Sequence, residues 1–123
     1  MSTPSAGGYL TTHVLDTTGG RPGADIAVRL YRLEGAARQA LGEMRTNADG
    51  RSDTPLLQGE HFTAGVYELE FDVGDYYRRR DVALEEPAFL DTVVLRFGLA
   101  DERAHYHVPL LVSPYSYSTY RGS

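Results

Sequence analysis

Short segments in which apolar and polar residues alternate recur along this chain, and turn residues separate them. The clearest is "GVYELEFDV", residues 65–73, where every second residue from Tyr67 to Val73 is apolar and the residues between are acidic. A β-strand points successive side chains to opposite faces of a sheet, so this pattern predicts a half-buried strand. The chain is therefore expected to fold into sheets that each bury one face.

The same criteria predict strands in several other segments, which have β-branched or alternating apolar residues between turns. These are Tyr9–Asp16 and residues 26–33, 41–46, 89–99 and 105–113. The alanines of residues 34–46 favour a helix, whereas the hairpin spacing favours a strand near its end. The segment "GDYYRRRDVALE", residues 74–85, is expected to hold the only helix. Together these elements predict an all-β fold, an antiparallel β-sandwich of two sheets with one short helix.

The length of 123 residues and the 41% hydrophobic content indicate one domain with a real core. We expect a flexible N-terminal arm over residues 1–8 and the sandwich domain over residues 9–123. The arm "MSTPSAGG" has neither the basic nor the apolar region of a secretory signal, and no apolar run reaches the roughly 18 residues of a membrane span. The ending also lacks a peroxisomal tripeptide, so the predicted location is cytoplasmic.

The composition excludes several kinds of chemistry. The chain has no cysteine. It also has no lysine, since all twelve Lys or Arg positions are arginine. Disulfides, thiolate nucleophiles, cysteine zinc sites and lysine Schiff bases are therefore excluded. The net charge of −5 argues against nucleic acid or an anionic membrane as a partner.

Three of the four histidines are candidates for chemistry. His13, in "TTHVL", is either a side chain on a polar surface, the commoner case, or a general base or substrate ligand. His105 and His107 lie two residues apart, so a strand would point both to one face. With His13 they could also form a three-histidine zinc site, which leaves a metal-dependent hydrolase as an alternative. His61 lies in a predicted loop and is expected to have no role.

Polar and aromatic candidates occur in one turn and at the end of the chain. Arg51 closes "TNADGR" and is either an exposed turn residue or a planar donor for a carbonyl or anion. In "SPYSYSTYRGS", Tyr115 and Tyr117 are expected to pack, whereas Tyr120 could hydrogen-bond a substrate. Ser123 brings a hydroxyl and a terminal carboxylate. No Gly-x-Ser-x-Gly surrounds any serine, so an acyl-enzyme is not expected.

The run "VPLLV", residues 108–112, is apolar at every position, so we expect both of its faces to be covered. In a sandwich of this size, the second cover is expected to be another subunit. Pro109 lacks a backbone donor, which predicts an edge or an irregular position for it.

The chain resembles known proteins at two levels. The segments "HVLDTTGGRPGADIAVRLYRL", "TNADGRSDTPL" and "GVYELEF" resemble the general transthyretin-like sandwich, which spacer and interaction modules share. The ending "HYHVPLLVSPYSYSTYRGS" closely resembles that of the 5-hydroxyisourate hydrolases, the transthyretin-related enzymes of urate breakdown. "THVLD" and "TNADGR" resemble their other two motifs. Transthyretin itself shares "SPYSYST" but lacks the Tyr-Arg-Gly-Ser ending and the motif histidines.

The resemblance implies an enzyme that hydrolyses 5-hydroxyisourate to 2-oxo-4-hydroxy-4-carboxy-5-ureidoimidazoline without a metal or another cofactor. It implies that His13, Arg51 and His107 are catalytic, and that Tyr120 and Ser123 join His13 and Arg51 in binding the substrate. It also implies a homotetramer with its sites in a channel between dimers. The alternative is a non-catalytic transthyretin-like binding or spacer module.

Overall fold

The computed structural model describes residues 7–122 of the chain. Most of the arm predicted over residues 1–8 lies outside the described residues. Gly8 is buried, and its backbone N–H donates to the carbonyl of Glu102. Residues 9–122 form two sheets that pack face to face.

The described residues form nine strands and one α-helix. The elements are β1 (Tyr9–Asp16), β2 (Arg21–Pro22), β3 (Ala27–Glu34), β4 (Ala37–Arg45), β5 (Leu57–Gln58), β6 (Gly65–Asp72), α1 (Val73–Arg79), β7 (Thr92–Leu99), β8 (His105–Val112) and β9 (Tyr117–Ser118). A 3₁₀ turn at Gly59–His61 precedes β6. The helix is short, and no helix among residues 7–122 is long and apolar enough to cross a membrane.

One sheet has five strands in the order β2-β1-β8-β9, with β5 also paired to β1, and the other has the order β4-β3-β6-β7. This arrangement confirms the predicted two-sheet sandwich with one short helix. One detail of the prediction is wrong, because β1 and β8 run parallel over their full length. These two strands are far apart in the chain, so no hairpin imposes opposite directions on them. The other pairings are antiparallel.

The ambiguous segment after residue 33 is a strand. Gly35, at φ +60°, closes a tight turn between β3 and β4, and this left-handed conformation suits a residue without a Cβ. The hairpin then pairs Glu34 with Ala37 and continues to Ala27 opposite Arg45. The alanines do not form a helix because the pairing with β3 provides backbone partners along the whole segment.

Alternation decides which side chains enter the core. On β1, Leu10 and Val14 are fully buried, whereas Thr11 and His13 on the other face are half-buried. On β8, Val108 and Leu110 face the same core. The outer face of the five-stranded sheet is therefore where β1 and β8 present their remaining side chains.

Pro109 occupies an irregular position, as the sequence predicted. On one side of β8 it is paired with His13 of β1. On the other side of β8, β9 pairs only with Leu111 and Val112. The Pro109 carbonyl there accepts from the Thr119 hydroxyl and not from a strand backbone N–H. Proline is tolerated here because the strand pairing on this side of β8 stops before residue 109, so its missing backbone N–H leaves no sheet hydrogen bond unmade.

Candidate active site

Four polar side chains share the outer face of the β1–β8 pair. The register places Thr11 beside His107 and His13 beside Pro109, with His105 two residues before His107 on the same face. Because this register aligns the two segments and residues two apart on a strand share a face, these side chains form one patch. The structure thus brings together the three histidines that the sequence singled out.

The rings of His13 and His107 face each other across the two strands. Their centroids lie 6.4 Å apart, with an angle of 42° between the planes. Nε2 of His13 lies 2.9 Å from the carbonyl oxygen of Asp49, which can only accept, so Nε2 is the protonated nitrogen. Nδ1 of His13 is then the nitrogen available to accept a proton. A water that hydrogen-bonds to both rings at about 2.8 Å fits a separation of this size.

The loop before Arg51 is shaped by its own side chains. The Asn47 carboxamide oxygen accepts from the backbone N–H of Asp49 and of Arg51, at 2.9 and 3.1 Å. Gly50 lies at φ +79°, and a Cβ there would collide with the carbonyl of Val14. The Gly50 carbonyl in turn accepts from the N–H of Val14 at 2.8 Å. Glycine therefore lets the loop approach β1 closely enough to place Arg51 beside His13.

Arg51 forms an isolated antiparallel bridge with His13, and its side chain is exposed. Among residues 7–122, no carboxylate lies within ion-pair distance of its guanidinium, whereas Arg29, Arg38 and Arg78 each pair with acidic side chains. The planar fork of donors is thus available for an anion or a polarised carbonyl.

A cavity of about 480 Å³ opens beside these groups. Its lining includes Thr11, Arg51, Pro55, His105 and His107. The volume falls in the range of small-molecule sites. His13 is not among the lining residues, and its ring lies 6.4 Å from that of His107, measured between centroids.

The electrostatics keep both facing histidines neutral near pH 7. Burial lowers the pKa of His13 and of His107 below the ordinary value of 6.5 because it removes water from the charged form. The positive charge of Arg51 is the next largest cause for both rings. Neutral imidazoles next to a cation are suited to accept a proton from water.

The end of the described chain lies against His107. The backbone N–H of Gly122 donates to the His107 carbonyl at 2.7 Å, and the His107 N–H donates back at 3.3 Å. A Cβ on Gly122 would lie 3.1 Å from both Cβ and Cδ2 of the His107 side chain. Arg121 stacks over the Tyr106 ring at 4.1 Å, which holds this segment on the sheet.

One predicted substrate contact, Tyr120, is not part of this patch in a single chain. Tyr120 is 60% exposed and lines a different cavity, next to β7. Ser123 lies outside the described residues. His61 belongs to the 3₁₀ turn and is exposed, away from the other three histidines.

The three histidines are not arranged as the zinc site that the sequence left open as an alternative. Within the part of the chain that the structure describes, no group of three His, Asp or Glu side chains is arranged to hold a metal ion. His105 and His107 instead direct ring nitrogens at the hydroxyl of Thr11.

Comparison with known proteins connects this patch to a family. The model of the HIUase/Transthyretin family matches residues 10–122, almost the whole chain. The chain belongs to the HIUase/Transthyretin family. The resemblance read from the three sequence motifs is therefore confirmed.

Known proteins similar to this chain include two named as enzymes and a transthyretin. The 5-hydroxyisourate hydrolase of Ralstonia nicotianae is 63% identical over 94% of this chain and 99% of that protein. A solved (S)-allantoin synthase is 46% identical at a TM-score of 0.91; it aligns with the whole of this chain, which spans only 46% of that longer chain. Sea bream transthyretin in complex with thyroxine is 26% identical at a TM-score of 0.82, over 92% and 93% of the two chains.

Two residues contribute to this site although the sequence did not predict a role for them. Thr11 contacts both His105 and His107, and Asp49 fixes His13 through its backbone carbonyl. Alternation could have placed Thr11 on the face of His13, since the two are two residues apart on one strand. A backbone carbonyl has no sequence signal, so the role of Asp49 needs the folded loop.

Proposed function

We propose that this protein hydrolyses 5-hydroxyisourate to 2-oxo-4-hydroxy-4-carboxy-5-ureidoimidazoline, a step of urate degradation. The observation that carries the proposal is that a neutral His13–His107 pair lies beside Arg51, which has no carboxylate partner among residues 7–122, in a chain 63% identical to a 5-hydroxyisourate hydrolase. The reaction opens the six-membered ring when water attacks an amide-type carbonyl. A carbon–oxygen bond forms, the carbon–nitrogen bond breaks, and the leaving nitrogen is protonated.

In this proposal the two histidines hold and deprotonate the attacking water. The water lies between the rings, and one imidazole takes its proton as the carbon–oxygen bond forms. The protonated ring then supplies the proton that the leaving nitrogen requires. Arg51 stabilises the negative charge that develops on the carbonyl oxygen and binds the polar edge of the substrate. No residue becomes covalently modified.

The substrate contacts predicted for Tyr120 and Ser123 remain predictions. Within one chain, Tyr120 is separated from the histidine patch, so its contact with the substrate would need another arrangement of the tail or a neighbouring subunit. The proposed cytoplasmic location is likewise open to test by cell fractionation.

The decisive experiment is to add the purified protein to freshly generated 5-hydroxyisourate and follow the decay of its ultraviolet absorbance. We expect acceleration that a strong chelator does not change. Loss of activity with the chelator, restored by zinc, would favour a histidine-bound metal. No acceleration in either condition would leave the protein as a binding or spacer module.

The pH profile follows from the lowered pKa of both histidines. We expect kcat/KM to decline towards acid pH with a midpoint below the ordinary histidine value of 6.5, because the bases become protonated there. Arg51→Gln should reduce activity and also shift this decline to higher pH, because removing a positive neighbour makes protonation easier. Profiles of kcat/KM against pH for both proteins test this.

Arg45→Gln is the matched control, since Arg45 lies on the other sheet and pairs with the exposed Asp25. It should leave the profile unchanged. An Arg51→Gln profile that declines at the wild-type pH or lower would contradict the electrostatic coupling.

We also propose that the protein is a homotetramer that covers the outer face of the five-stranded sheet. Leu15 and Leu111 lie side by side on that face and are only half-buried in a single chain. On the outer face of the run 108–112, Pro109 is buried but Leu111 is only half-buried in a single chain. Leu110 and Val112 point into the core, so a charge at either would unfold the subunit and not merely separate subunits.

The test is therefore Leu111→Glu, which places a charge where the second subunit would pack. Burying an unpaired charge costs on the order of several kcal/mol, so we expect smaller species by light scattering. Val66→Glu, an exposed position on the other sheet, should leave the mass unchanged. A wild-type protein that is monomeric would overturn the tetramer proposal.

A second candidate function is a small-ligand carrier, because the fold is also that of a transthyretin solved with thyroxine. The histidines and Arg51 distinguish the two, since an apolar ligand needs no proton acceptor. Tight binding of an aromatic ligand with no effect on 5-hydroxyisourate would favour the carrier.

A further inference from the structure

The Thr11 side chain lies between two histidines and contacts both. Its hydroxyl oxygen is 2.7 Å from Nε2 of His105 and 2.8 Å from Nδ1 of His107. Both distances are those of good hydrogen bonds. The ring centroids of His105 and His107 lie 6.0 Å apart, and the hydroxyl links their facing nitrogens.

One hydroxyl has one proton, so it cannot donate to both rings. A hydroxyl oxygen could accept from both rings only if its own proton had a third partner, and among residues 7–122 the Thr11 hydroxyl contacts no acceptor besides these two nitrogens. When both rings are neutral and both hydrogen bonds are made, Thr11 therefore donates to one nitrogen and accepts an N–H from the other. The tautomers of the two rings are then coupled through Thr11. If His107 carries its proton on Nδ1, His105 presents an unprotonated Nε2; if His105 carries its proton on Nε2, His107 presents an unprotonated Nδ1.

Only the first of these states suits proton transfer by His107. Its Nδ1 is occupied by Thr11, so Nε2 must be unprotonated if the ring is to accept a proton. After Nε2 of His107 has accepted a proton, Nδ1–H still donates to Thr11, so neither hydrogen bond of Thr11 changes direction. In the second state Nε2 is already protonated and the ring cannot act as a base.

We propose that Thr11 is a positioning residue that, together with His105 as the acceptor of its hydroxyl proton, holds His107 in the Nδ1–H tautomer. This inference rests on the proposed function for its catalytic consequence, but the tautomer itself is a property of the protein alone. It also gives His105 a role that the sequence left open. His105 acts through Thr11 and not on the substrate.

The surroundings of His105 fit this role. Its ring stacks on Tyr9 with centroids 4.1 Å apart and planes 10° from parallel, which fixes the orientation of Nε2 towards Thr11. Tyr9, Thr11 and His105 therefore form a fixed support beside His107. In serine proteases, a wrong imidazole tautomer lowers kcat by about 10⁴, which shows how much such a support can matter.

The experiment compares Thr11→Val with Thr11→Ser, which keeps the hydroxyl. Thr17→Val is the matched control, because Thr17 directly follows β1 and its hydroxyl donates to the Val112 carbonyl, not to a histidine. Protein with nitrogen-15 in its histidine rings has four histidines to resolve, and the ring nitrogen shifts report the tautomer of each. Activity on 5-hydroxyisourate is measured for the same samples.

At alkaline pH we expect His107 of the wild-type protein to be protonated on Nδ1 and not on Nε2. Thr11→Val should populate the Nε2–H form and lower kcat by about tenfold, with KM changed less than about twofold. Thr11→Ser should restore both the spectrum and kcat. His105→Phe keeps the stack on Tyr9 but lacks the acceptor nitrogen, so it should also populate the Nε2–H form of His107.

Three results would overturn the proposal. One is an Nε2–H tautomer of His107 in the wild-type protein. Another is a Thr11→Val spectrum identical to that of the wild type, whatever the activity. The third is a failure of Thr11→Ser to restore the tautomer, which would indicate a packing role. If the wild type does not act on 5-hydroxyisourate, the proposed function fails, while the ring spectra still decide the role of Thr11.

Discussion

His107→Ala should lower kcat by about two to three orders of magnitude and leave the fold intact. The expected loss is that of a positioned general base, roughly 10²–10⁴. Folding should persist because His107 lies on the outer face of β8 and is absent from the core cluster. Steady-state kinetics on 5-hydroxyisourate and a thermal melt of the same sample measure the two effects.

The controls use the other histidines of the chain. His13→Ala should cause a loss similar to that of His107→Ala, since both rings hold the same water in the proposed mechanism. His61→Ala should be fully active, because His61 lies in the exposed 3₁₀ turn. A His61→Ala enzyme as impaired as His107→Ala would show that the histidines have been assigned wrongly.

Gly122→Val should lower kcat by about ten- to a hundredfold, although residue 122 has no side chain to offer a substrate. A Cβ at this position would lie 3.1 Å from Cδ2 of His107, and Cδ2 is bonded to Nε2. The two branches of valine would therefore displace the ring or break the backbone bridge between Gly122 and His107. A misplacement of about 1 Å at a catalytic group can cost about 10² in rate.

Gly42→Val provides the comparison, because Gly42 lies in β4 and an added Cβ there meets no atom within 4 Å. It should keep wild-type kinetics. The intermediate Gly122→Ala should fall between wild type and Gly122→Val, since one methyl group requires a shift of only a few tenths of an ångström. Full activity of Gly122→Val would mean that the tail does not set the position of His107.

The predicted strands were largely correct because alternation reports burial directly. Tyr67, Leu69 and Phe71 of β6 are all buried, as their spacing indicated. Glu68 is the exception on this strand: it is buried on the polar face because Arg96 of the neighbouring β7 and Arg38 of β4, two strands away, pair with it. Pairing across strands depends on register, which the pattern of a single strand does not contain.

The helix was predicted from the sequence, but the buried carboxylate to which its tyrosines donate was not. The sequence predicted a short helix in residues 74–85, and it is observed as Val73–Arg79. Tyr76 and Tyr77 of this helix both donate to the buried carboxylate of Asp16, at 2.8 and 2.9 Å. Asp16 had no assigned role in the sequence analysis, because its partners are about sixty residues away in the chain.

The sequence by itself determined the sheets, the single short helix, the face on which His105 and His107 lie, and the type of each candidate group. The alternation of apolar and polar residues and the chemistry of each side chain are local properties, so the sequence alone contains them. Only the tertiary structure decided that β1 and β8 run parallel, in a register that places Thr11 beside His107 and His13 beside Pro109. It alone brought Arg51 and Gly122 to these histidines, through Gly50 at a left-handed turn and through the Gly122 backbone bridge. Distances between segments far apart in the chain are set by packing and register, and those contacts make one site of scattered residues.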